Sequence, residues 1–551
     1  MISRIKKALR TIRREGISAG YSAFLRQIDK GRRDREYRTW AERYDTLDDA
    51  GRERLRGIAA ELKDAPLISV LMPVYNVEER FLRDAIGSVR AQIYPNWELC
   101  IADDASTEPH VRRVLEELAA QDARIRITFR EKNGHISAAS NTALEMVRGE
   151  FTALMDHDDL LTEDALLQAA RVITSRPEVN LIYSDEDKID ANGVRFQPMF
   201  KPDWSPELMR SLNLITHLCV FRTEVLRAIG GFRVGFEGSQ DYDLSLRFID
   251  RISPETIIHV PHVLYHWRAI PGSVALDSGE KTYAHERART ALTEHYRRNG
   301  IAARAVRGRG ELHRPEFLTE PPTVSVILWG EGSSDIELGR VHEVREAAGD
   351  VASILRESAE ATGDVFVFLH RDSGELSANF FAELAHRSAI KGVGAVGPKL
   401  LDANGKIANA GFVLGIINGI GRPHRGMRRA DLGPFVGLAA DRNVLALTLA
   451  AMAVERKTFA EAGGLDDSFG DPVSSGIDLC LRFHAGGKRN VWTPCAEATW
   501  ANASNNVVEE SIAGLRARWQ EYFDRDPYYN PNLTAEGEGL GFAEPPRISR
   551  N

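Results

Sequence analysis

Two aspartates one residue apart, Asp156 and Asp158 in MDHDD, follow an apolar run, FTALM, that reads as a buried strand. Carboxylates so spaced at a strand end point into one volume, where they repel each other unless a cation lies between them. Mg²⁺ or Mn²⁺ held there could bridge a diphosphate and neutralise a leaving group as its charge develops. The motif alone is not specific, because Asp159 or Thr162 could simply cap a helix beginning near Glu163. Two other polar clusters share its setting. Asp103 and Asp104 close WELCIADD, where a carboxylate can accept hydrogen bonds from a nucleobase or ribose, or cap the next helix with Ser106 and Thr107. Asn133, Gly134 and Asn141 bracket a loop-to-helix junction, where a small residue admits close approach of a ligand and a helix N-terminus favours negative charge.

The elements that must position these residues alternate. LISVLMPVYN (67–76) reads as a strand, a helix runs to about Gln92, and WELCIADD, a helix, IRITFRE, a helix over 137–147 and FTALMDHDD follow. Strands separated by helix-length segments predict a mostly parallel α/β sheet covered on both faces. In such sheets ligands bind beyond the carboxyl ends of the strands, and the polar clusters sit at those ends. Residues 308–323 read as part of a linker, after which the pattern partly repeats. AIGGF (Gly230, Gly231) returns as EAGGL (Gly463, Gly464), DLSLRF (243–248) as DLCLRF (478–483), and ISVLM (68–72) as VSVIL (324–328). The copies differ in length: Ser69 to Asp158 spans nearly twice the chain of Ser325 to Asp372. About two strand-helix units are therefore expected to be missing from the second, including the counterparts of IADDAS and KNGHISAASN.

Size and composition bound the rest. The 551 residues, 43% hydrophobic and 27% charged, suit two globular domains with extensions. A net charge of −8 argues against nucleic-acid binding. Cys100, Cys219, Cys480 and Cys495 form no CxxC pair, so neither a zinc site nor a disulfide framework is expected, and a reducing cytoplasm fits. The longest apolar run, 444–454, is about half of what a membrane span needs. The opening MISRIKKALRTIRR lacks the apolar core of a secretory signal. It would place Ile2, Ile5, Leu9 and Ile12 on one helical face with Lys6, Lys7, Arg10, Arg13 and Arg14 around it. Such a helix could lie on anionic headgroups at the inner face of the membrane or dock on its own protein; both readings stay open.

Taken together and in order, PVYN (73–76), DDAS, NGHISAASN, the DxD of Asp156 and Asp158, GSQDYDLSLR and LYHWR resemble the family-two glycosyltransferases of GT-A fold, particularly bacterial enzymes that build O-antigen and other surface polysaccharides. The resemblance covers residues 66 to about 275. It implies a metal-dependent, inverting transfer from a nucleoside-diphosphate sugar (UDP, GDP or dTDP) to a glycan or lipid-linked oligosaccharide. It also implies roles. Pro73, Tyr75, Asn76, Asp103, Asp104, Asn133, Gly134, Asn141 and Asp156 would bind the nucleotide sugar. Asp158 would be the main metal ligand, with Asp156 and the late histidine His266, and Asp241 the catalytic base. Asp241 could instead serve as an N-cap or an ion-pair partner near Arg247. Trp204, Gln240 and Trp267 are candidates for the sugar or acceptor side, although either tryptophan could be core. The chain departs from many relatives at Gln240, where they have Glu, and at Ser140, where they have a basic residue. YSDEDKID (183–190) reads as a charged acceptor-side loop or a solvated turn.

The expected organisation is a basic helical extension (1–62), a GT-A domain (63–305), a linker (306–323) and a degenerate GT-A-like domain (324–551). In the last, Gly476 stands where Asp241 does and only Asp372 remains of the acidic pair. Alternatives are a non-catalytic glycan-binding scaffold or a second active site in the C-terminal half. An aspartyl phosphotransferase would carry its DxD on the first strand, not the fourth, and the QxxRW of processive membrane synthases is absent.

Overall fold

The structure, a computed structural model, describes residues 17–270, 282–332, 336–339, 341–417, 419–500, 509–537 and 539–550. The basic segment carrying Ile2 to Arg14 lies outside the described residues.

Two helices, α1 (Ile17–Tyr44) and α2 (Asp49–Glu61), precede the first sheet. Then β1 (Ile68–Val74), α3 (Glu79–Arg90), β2 (Trp97–Asp103), α4 (Pro109–Gln121), β3 (Ile125–Phe129), α5 (His135–Met146) and β4 (Phe151–Leu154) alternate as the sequence pattern predicts. The first half continues with β5 (Leu160–Leu161), α6 (Ala165–Ser175), β6 (Leu181–Ile189), β7 (Arg195–Met199), α7 (Pro206–Met209) and β8 (Cys219–Arg222). It closes with α8 (Thr223–Ala228), α9 (Gln240–Ile249), β9 (Ile257–Arg268) and α10 (Thr282–Arg298). The strand order is β3-β2-β1-β4-β8-β6-β9-β5, with β7 on β6. Strands β1 to β4 are parallel, while β8 runs antiparallel between β4 and β6. Every residue of β1 is buried because the sheet is covered on both faces. Val70 and Met72 join one core with Leu82, Ile86 and Val114, and Leu71 joins the other with Ala139, Ala143 and Leu246.

The segment 183–190 is neither loop nor solvated turn. Through Ile189 it belongs to β6, whose residues Leu181 to Asp187 are all buried, and only Asp190 enters the turn that follows. Its acids persist inside because each has partners: Asp187 accepts from Tyr37 and pairs with Arg195, Glu186 pairs with Lys201, and Asp185 accepts from Asn530 and Asn532. The stretch read as a linker also has structure of its own. Strands β10 (Ala303–Arg307) and β11 (His313–Phe317) form an antiparallel hairpin that buries His313 and Pro315.

The second sheet is built from β12 (Val324–Trp329), β13 (Glu343–Glu346), α11 (Val351–Glu360), β14 (Val365–His370), β15 (Ser373–Leu376), α12 (Phe380–Ser388), β16 (Val393–Leu401) and β17 (Ile407–Asn409). After a small hairpin of β18 (Val413–Ile416) and β19 (Gly419–Gly421) come β20 (Arg442–Val444), β21 (Ala451–Glu455), α13 (Arg456–Glu461), α14 (Pro472–Ala485), β22 (Arg489–Trp500), α15 (Glu509–Arg518) and α16 (Gln520–Asp524). Its order, β13-β12-β14-β21-β16-β22-β15 with β17 on β16, reproduces β2-β1-β4-β8-β6-β9-β5 with β7 on β6. The strand directions agree as well.

Local devices recur with the topology. Ser69 Oγ donates to Glu98 and accepts from the Gly149 amide; Ser325 Oγ does the same with Glu343 and Gly363. A side chain at Gly149 would put its Cβ 2.5 Å from the Leu67 carbonyl oxygen, so glycine is required there. Arg247 grips Asp243 and the carbonyls of Ile229 and Gly231, as Arg482 grips Asp478 and those of Ala462 and Gly464. The deletion is smaller than the spacing implied. A strand, β13, stands at the place of β2, and what is absent among the described residues is one helix-strand unit (α4 with β3) and the helix equivalent to α3.

The two halves, α1 and the C-terminal segment interlock. Ser205 donates to Asn443, Arg489 pairs with Glu207, and the Phe317 ring stacks on His386. Tyr37 and Trp40 of α1 are buried against Phe200 and Phe542, and Arg550 reaches Asp164 and Asp45. The described part of the leader therefore docks on its own protein.

This packing leaves buried histidines that cannot easily charge. Burial pulls His262 and His313 down to about 4 and His424 well below its usual value. Between about pH 4 and 6.5 the folded chain then binds fewer protons than the unfolded one, so stability falls as pH falls through that window. Asp526, pushed up to about 7 by burial, acts with the opposite sign, as do Asp156, Asp159 and His259, but His295, His370, His386 and His484 are pulled down with the first three, so the lowered histidines outnumber the raised groups. Urea titrations at pH 7 and pH 4.5 should show the midpoint dropping at the lower pH, and His424→Gln should reduce the drop.

Candidate active site

The acidic loop is held by the strand that closes the first domain. Tyr265 Oη donates to Asp159 Oδ2 at 2.6 Å, and the Arg268 amide donates to Asp159 Oδ1 at 2.6 Å. The buried Arg268 guanidinium donates through Nε to the Asp158 carbonyl, also at 2.6 Å. Thus LYHWR acts on the acidic motif through its Tyr and Arg, which fix the loop after β4. Its histidine is engaged elsewhere: His266 Nδ1 lies 2.5 Å from Asp187 Oδ1 on β6.

The histidine beside the acids is His217, in the segment leading into β8. Ligand atoms of Asp156, Asp159 and His217 all lie within 4.8 Å of one another, a donor set of carboxylate oxygens and imidazole nitrogen that suits a divalent cation. The His217 ring stacks on Tyr265 at 4.4 Å and leans on Trp267 at 5.7 Å, so a sequence-flagged tryptophan flanks this group. Burial, then the charges of Asp158 and Asp241, raise the proton affinity of Asp156, with His217 and His157 opposing. The charges of the other two acids singled out in the sequence therefore reach Asp156. Burial and the charges of Asp158 and Asp156 likewise push Asp159 up. Such mutual repulsion is relieved by a cation.

Asp241 lies in the first turn of α9, where Asn213 Nδ2 donates to its Oδ2 at 2.9 Å. Asn213 and His217 both belong to the strand-connecting segment 210–218. Beneath it Lys201, fully buried, donates to the His217 carbonyl at 2.6 Å and to Glu186 at 3.1 Å, and Thr216 donates to the same carboxylate. Lys201→Met would leave Glu186 buried without its counter-charge, held only by Thr216. A loss of about 3–5 kcal/mol is expected in denaturant unfolding, because removing one partner strands the other charge.

At the ends of β1 and β2 the sequence-flagged residues divide. Asp104 is committed: it pairs with Arg130 at 2.8 Å and accepts the Gly134 amide at 2.9 Å. Asp103 accepts from the Ser106 amide through Oδ2, while its buried Oδ1 has no partner among the described residues. Asn76 caps the loop before α4 by accepting the amides of Thr107 and Glu108. Asn133 bonds locally, to the Asp104 carbonyl and the His135 amide, and Gly134 is the N-cap of α5. Asn141 exchanges two hydrogen bonds with Phe232, pinning the double-glycine turn against α5. The Pro73 carbonyl lies 3.1 Å from His157 Nδ1, and Tyr75 stands 45% exposed at the strand end. Gln240 accepts the Gly238 amide, and Trp204 packs partly buried beside the core of α9.

Sequence reasoning missed His217, Asn213 and Lys201. No spacing marks them, since NLITHLC reads as an apolar segment with an isolated histidine.

The second half carries aromatic and apolar side chains at the equivalent strand end. Trp329, at the end of β12, donates to the Leu449 carbonyl and packs edge-on against His370 at 4.6 Å. Gly476, at the position of Asp241, lies so close to Leu449 that a Cβ there would approach its side chain to 2.9 Å.

Residues 69–229 match the family described as glycosyl transferase family 2. Over 89% of its length the chain is 38% identical to an uncharacterized protein, y4gI, of Sinorhizobium fredii, of which it covers 60%. Over 90% of its length it is 32% identical to the O-antigen biosynthesis protein RfbC of Myxococcus xanthus, of which it covers 43%. Chondroitin synthase of Escherichia coli shares 29% identity over 38% of this chain and 30% of its own length. The chain thus spans about half the length of the first two relatives.

Proposed function

We propose that this chain, which through residues 69–229 belongs to glycosyltransferase family 2, transfers a sugar from a nucleoside diphosphate to a glycan or lipid-linked acceptor in surface-polysaccharide assembly. The observation that carries this reading is the group just past β4 formed by Asp156, Asp159 and His217, whose ligand atoms lie within 4.8 Å of one another. A Mg²⁺ or Mn²⁺ ion held by Asp156 with Asp158, Asp159 or His217 would neutralise the diphosphate leaving group.

The chain's own residues do the rest. Asp103 Oδ1, buried and without a partner among the described residues, is an acceptor for the donor's base or ribose, and Tyr75 offers an open ring face beside it. Asp104, Asn76, Asn133, Gly134 and Asn141 position the loops around that pocket through the bonds described above. Asp241, oriented by Asn213, takes the proton of the acceptor hydroxyl as its oxygen attacks the anomeric carbon from the face opposite the diphosphate, inverting the configuration. No protein acid is needed for a leaving group already stabilised in this way. Trp267 and Gln240 stand on the acceptor side. The second domain, with Trp329, His370 and Leu449 at the equivalent strand end, supports the first and carries no base at Gly476.

Isothermal titration of UDP-, GDP- and dTDP-sugars in the presence of Mn²⁺ tests this reading. One donor should bind, and its sugar should appear in an acceptor product with inverted configuration by NMR. No binding by any of the three would remove the basis of the proposal.

A further inference from the structure

The segment that follows α16 runs along residues 201–203, beneath the histidine that stands beside Asp156. Arg525 pairs with Asp203 at 2.9 Å, the Asp203 amide donates to the Pro527 carbonyl at 2.8 Å, and Asn530 Nδ2 donates to the Lys201 carbonyl at 2.8 Å. Asn530 and Asn532 are both buried. Asn530 Oδ1 accepts the Asn532 amide at 2.9 Å, which fixes the orientation of the side-chain amide and leaves Nδ2 to donate inward, to Lys201 and to Asp185 Oδ2 at 2.8 Å. Asn532 Nδ2 donates to the same Asp185 oxygen at 3.2 Å and to the Pro261 carbonyl at 2.9 Å. The other oxygen, Asp185 Oδ1, accepts the Lys201 amide at 2.8 Å and lies 3.0 Å from His259 Nε2. Both oxygens of this buried carboxylate are thus engaged, and they serve to frame Lys201.

Lys201 is therefore fixed at its amide by Asp185 and at its carbonyl by Asn530. The stem of a lysine is flexible, so its ammonium group becomes a fixed point only when the backbone at its root is fixed. Here that group ends on the His217 carbonyl at 2.6 Å and on Glu186 at 3.1 Å. His217 depends on such a hold, because it lies between α7 and β8, outside the helices and strands, with its ring stacked on Tyr265. A shift at Lys201 would reach the imidazole through the His217 carbonyl. Groups behind a metal ligand orient it and tune its affinity in the same manner. We infer that Asn530, 329 positions from Lys201 in sequence, is a positioning residue that acts through Lys201 to place His217. The C-terminal segment thereby completes the cleft of the first half. What His217 does once placed rests on the transfer reading, whereas its placement by Asn530 does not.

NMR of the full chain labelled with ¹⁵N-histidine and freed of metal tests the placement, and calorimetry with Mn²⁺ tests its consequence. Asn530→Ala should move the His217 imidazole resonances, identified by their loss in His217→Ala, because the ring slides against Tyr265. It should also weaken Mn²⁺ about tenfold, the low end of what groups behind a metal ligand contribute. Asn532→Ala is the control. It removes a donor from the same Asp185 oxygen and loosens the same segment, yet it leaves the Lys201 carbonyl held, so the His217 resonances should stay in place and Mn²⁺ affinity should remain close to wild type. Asn530→Gln keeps the amide but displaces it by a methylene; it should shift the same resonances less, and it serves if Asn530→Ala does not fold. Melting curves report how far each variant is destabilised. Unmoved His217 resonances in the Asn530 variants, or equal shifts and equal losses of Mn²⁺ affinity in Asn530→Ala and Asn532→Ala, would overturn the inference. If the wild type binds no Mn²⁺, the transfer reading loses its ion, while the metal-free resonances still decide whether Asn530 places His217.

Discussion

Replacing Asp241 by Asn should reduce turnover by about 10²–10⁴-fold, the usual contribution of a positioned general base, while donor affinity stays within about twofold of wild type. The asymmetry follows from where the residue sits. Asp241 is in the first turn of α9 and is held by Asn213, whereas the proposed acceptor for the nucleoside is Asp103 at the end of β2. Asparagine keeps the shape and can still bond to Asn213 through its amide, so the helix and its neighbours should not move. What is lost is the ability to take a proton. Asn213→Ala should produce a smaller loss in kcat, because it frees the carboxylate to turn without removing it. Steady-state kinetics with the identified donor, together with calorimetry of the same variants, separate these effects. Full activity of Asp241→Asn would mean that the base is another group.

The fold was legible because its signal is periodic. Alternating strand and helix segments from β1 to β4 give a parallel sheet, and the DLSLRF and double-glycine repeats mark equivalent corners of two sheets, as the matching Arg247 and Arg482 clamps make concrete. Where charge was used to infer exposure, the reading failed. Asp185, Glu186 and Asp187 look like a solvated turn until their partners are known, and those partners come from Tyr37, Arg195, Lys201 and Asn530, up to 345 positions away in sequence. No local pattern encodes such long-range satisfaction. The linker reading failed similarly, because GRGELHRPEF carries turn-like residues at the bend of a hairpin whose flanking strands are short.

The site was legible in part for the same reason. The acids announce themselves by spacing, and the charges of Asp158 and Asp241 reach Asp156. The histidine is different. A motif places His266 at the end of the domain, yet its Nδ1 is on Asp187, and the imidazole next to Asp156 belongs to His217, presented by a segment with no recognisable pattern. Sequence could indicate that a histidine completes the group but could not tell which, because the choice depends on how Lys201 and Tyr265 fix the chain before β8.

That difference gives the second large effect. Asp156→Ala should abolish Mn²⁺ binding measured by calorimetry without nucleotide, and turnover with it, since Asp156 is the carboxylate on which the charges of Asp158, Asp241 and both flanking histidines converge. Its raised proton affinity sets the pH dependence. The proton must leave before a cation can bind, so Mn²⁺ affinity in the wild type should increase as pH rises and fall in acid. The histidines then discriminate between the two arrangements. If the donor set is Asp156, Asp159 and His217, His217→Ala should weaken Mn²⁺ by about 10–100-fold or more, while His266→Ala leaves affinity nearly unchanged and instead weakens β6 by removing one of the three partners of Asp187, the others being Tyr37 and Arg195. The reverse order of effects would mean that His266 swings off Asp187 to reach the ion, and that the arrangement of Asp156, Asp159 and His217 is a resting state which metal binding rearranges. Asp159→Asn is the informative companion. Its carboxylate already accepts from Tyr265 and Arg268, so a loss of Mn²⁺ affinity there, with Tyr265→Phe unaffected, would identify it as a ligand as well as the anchor of the loop.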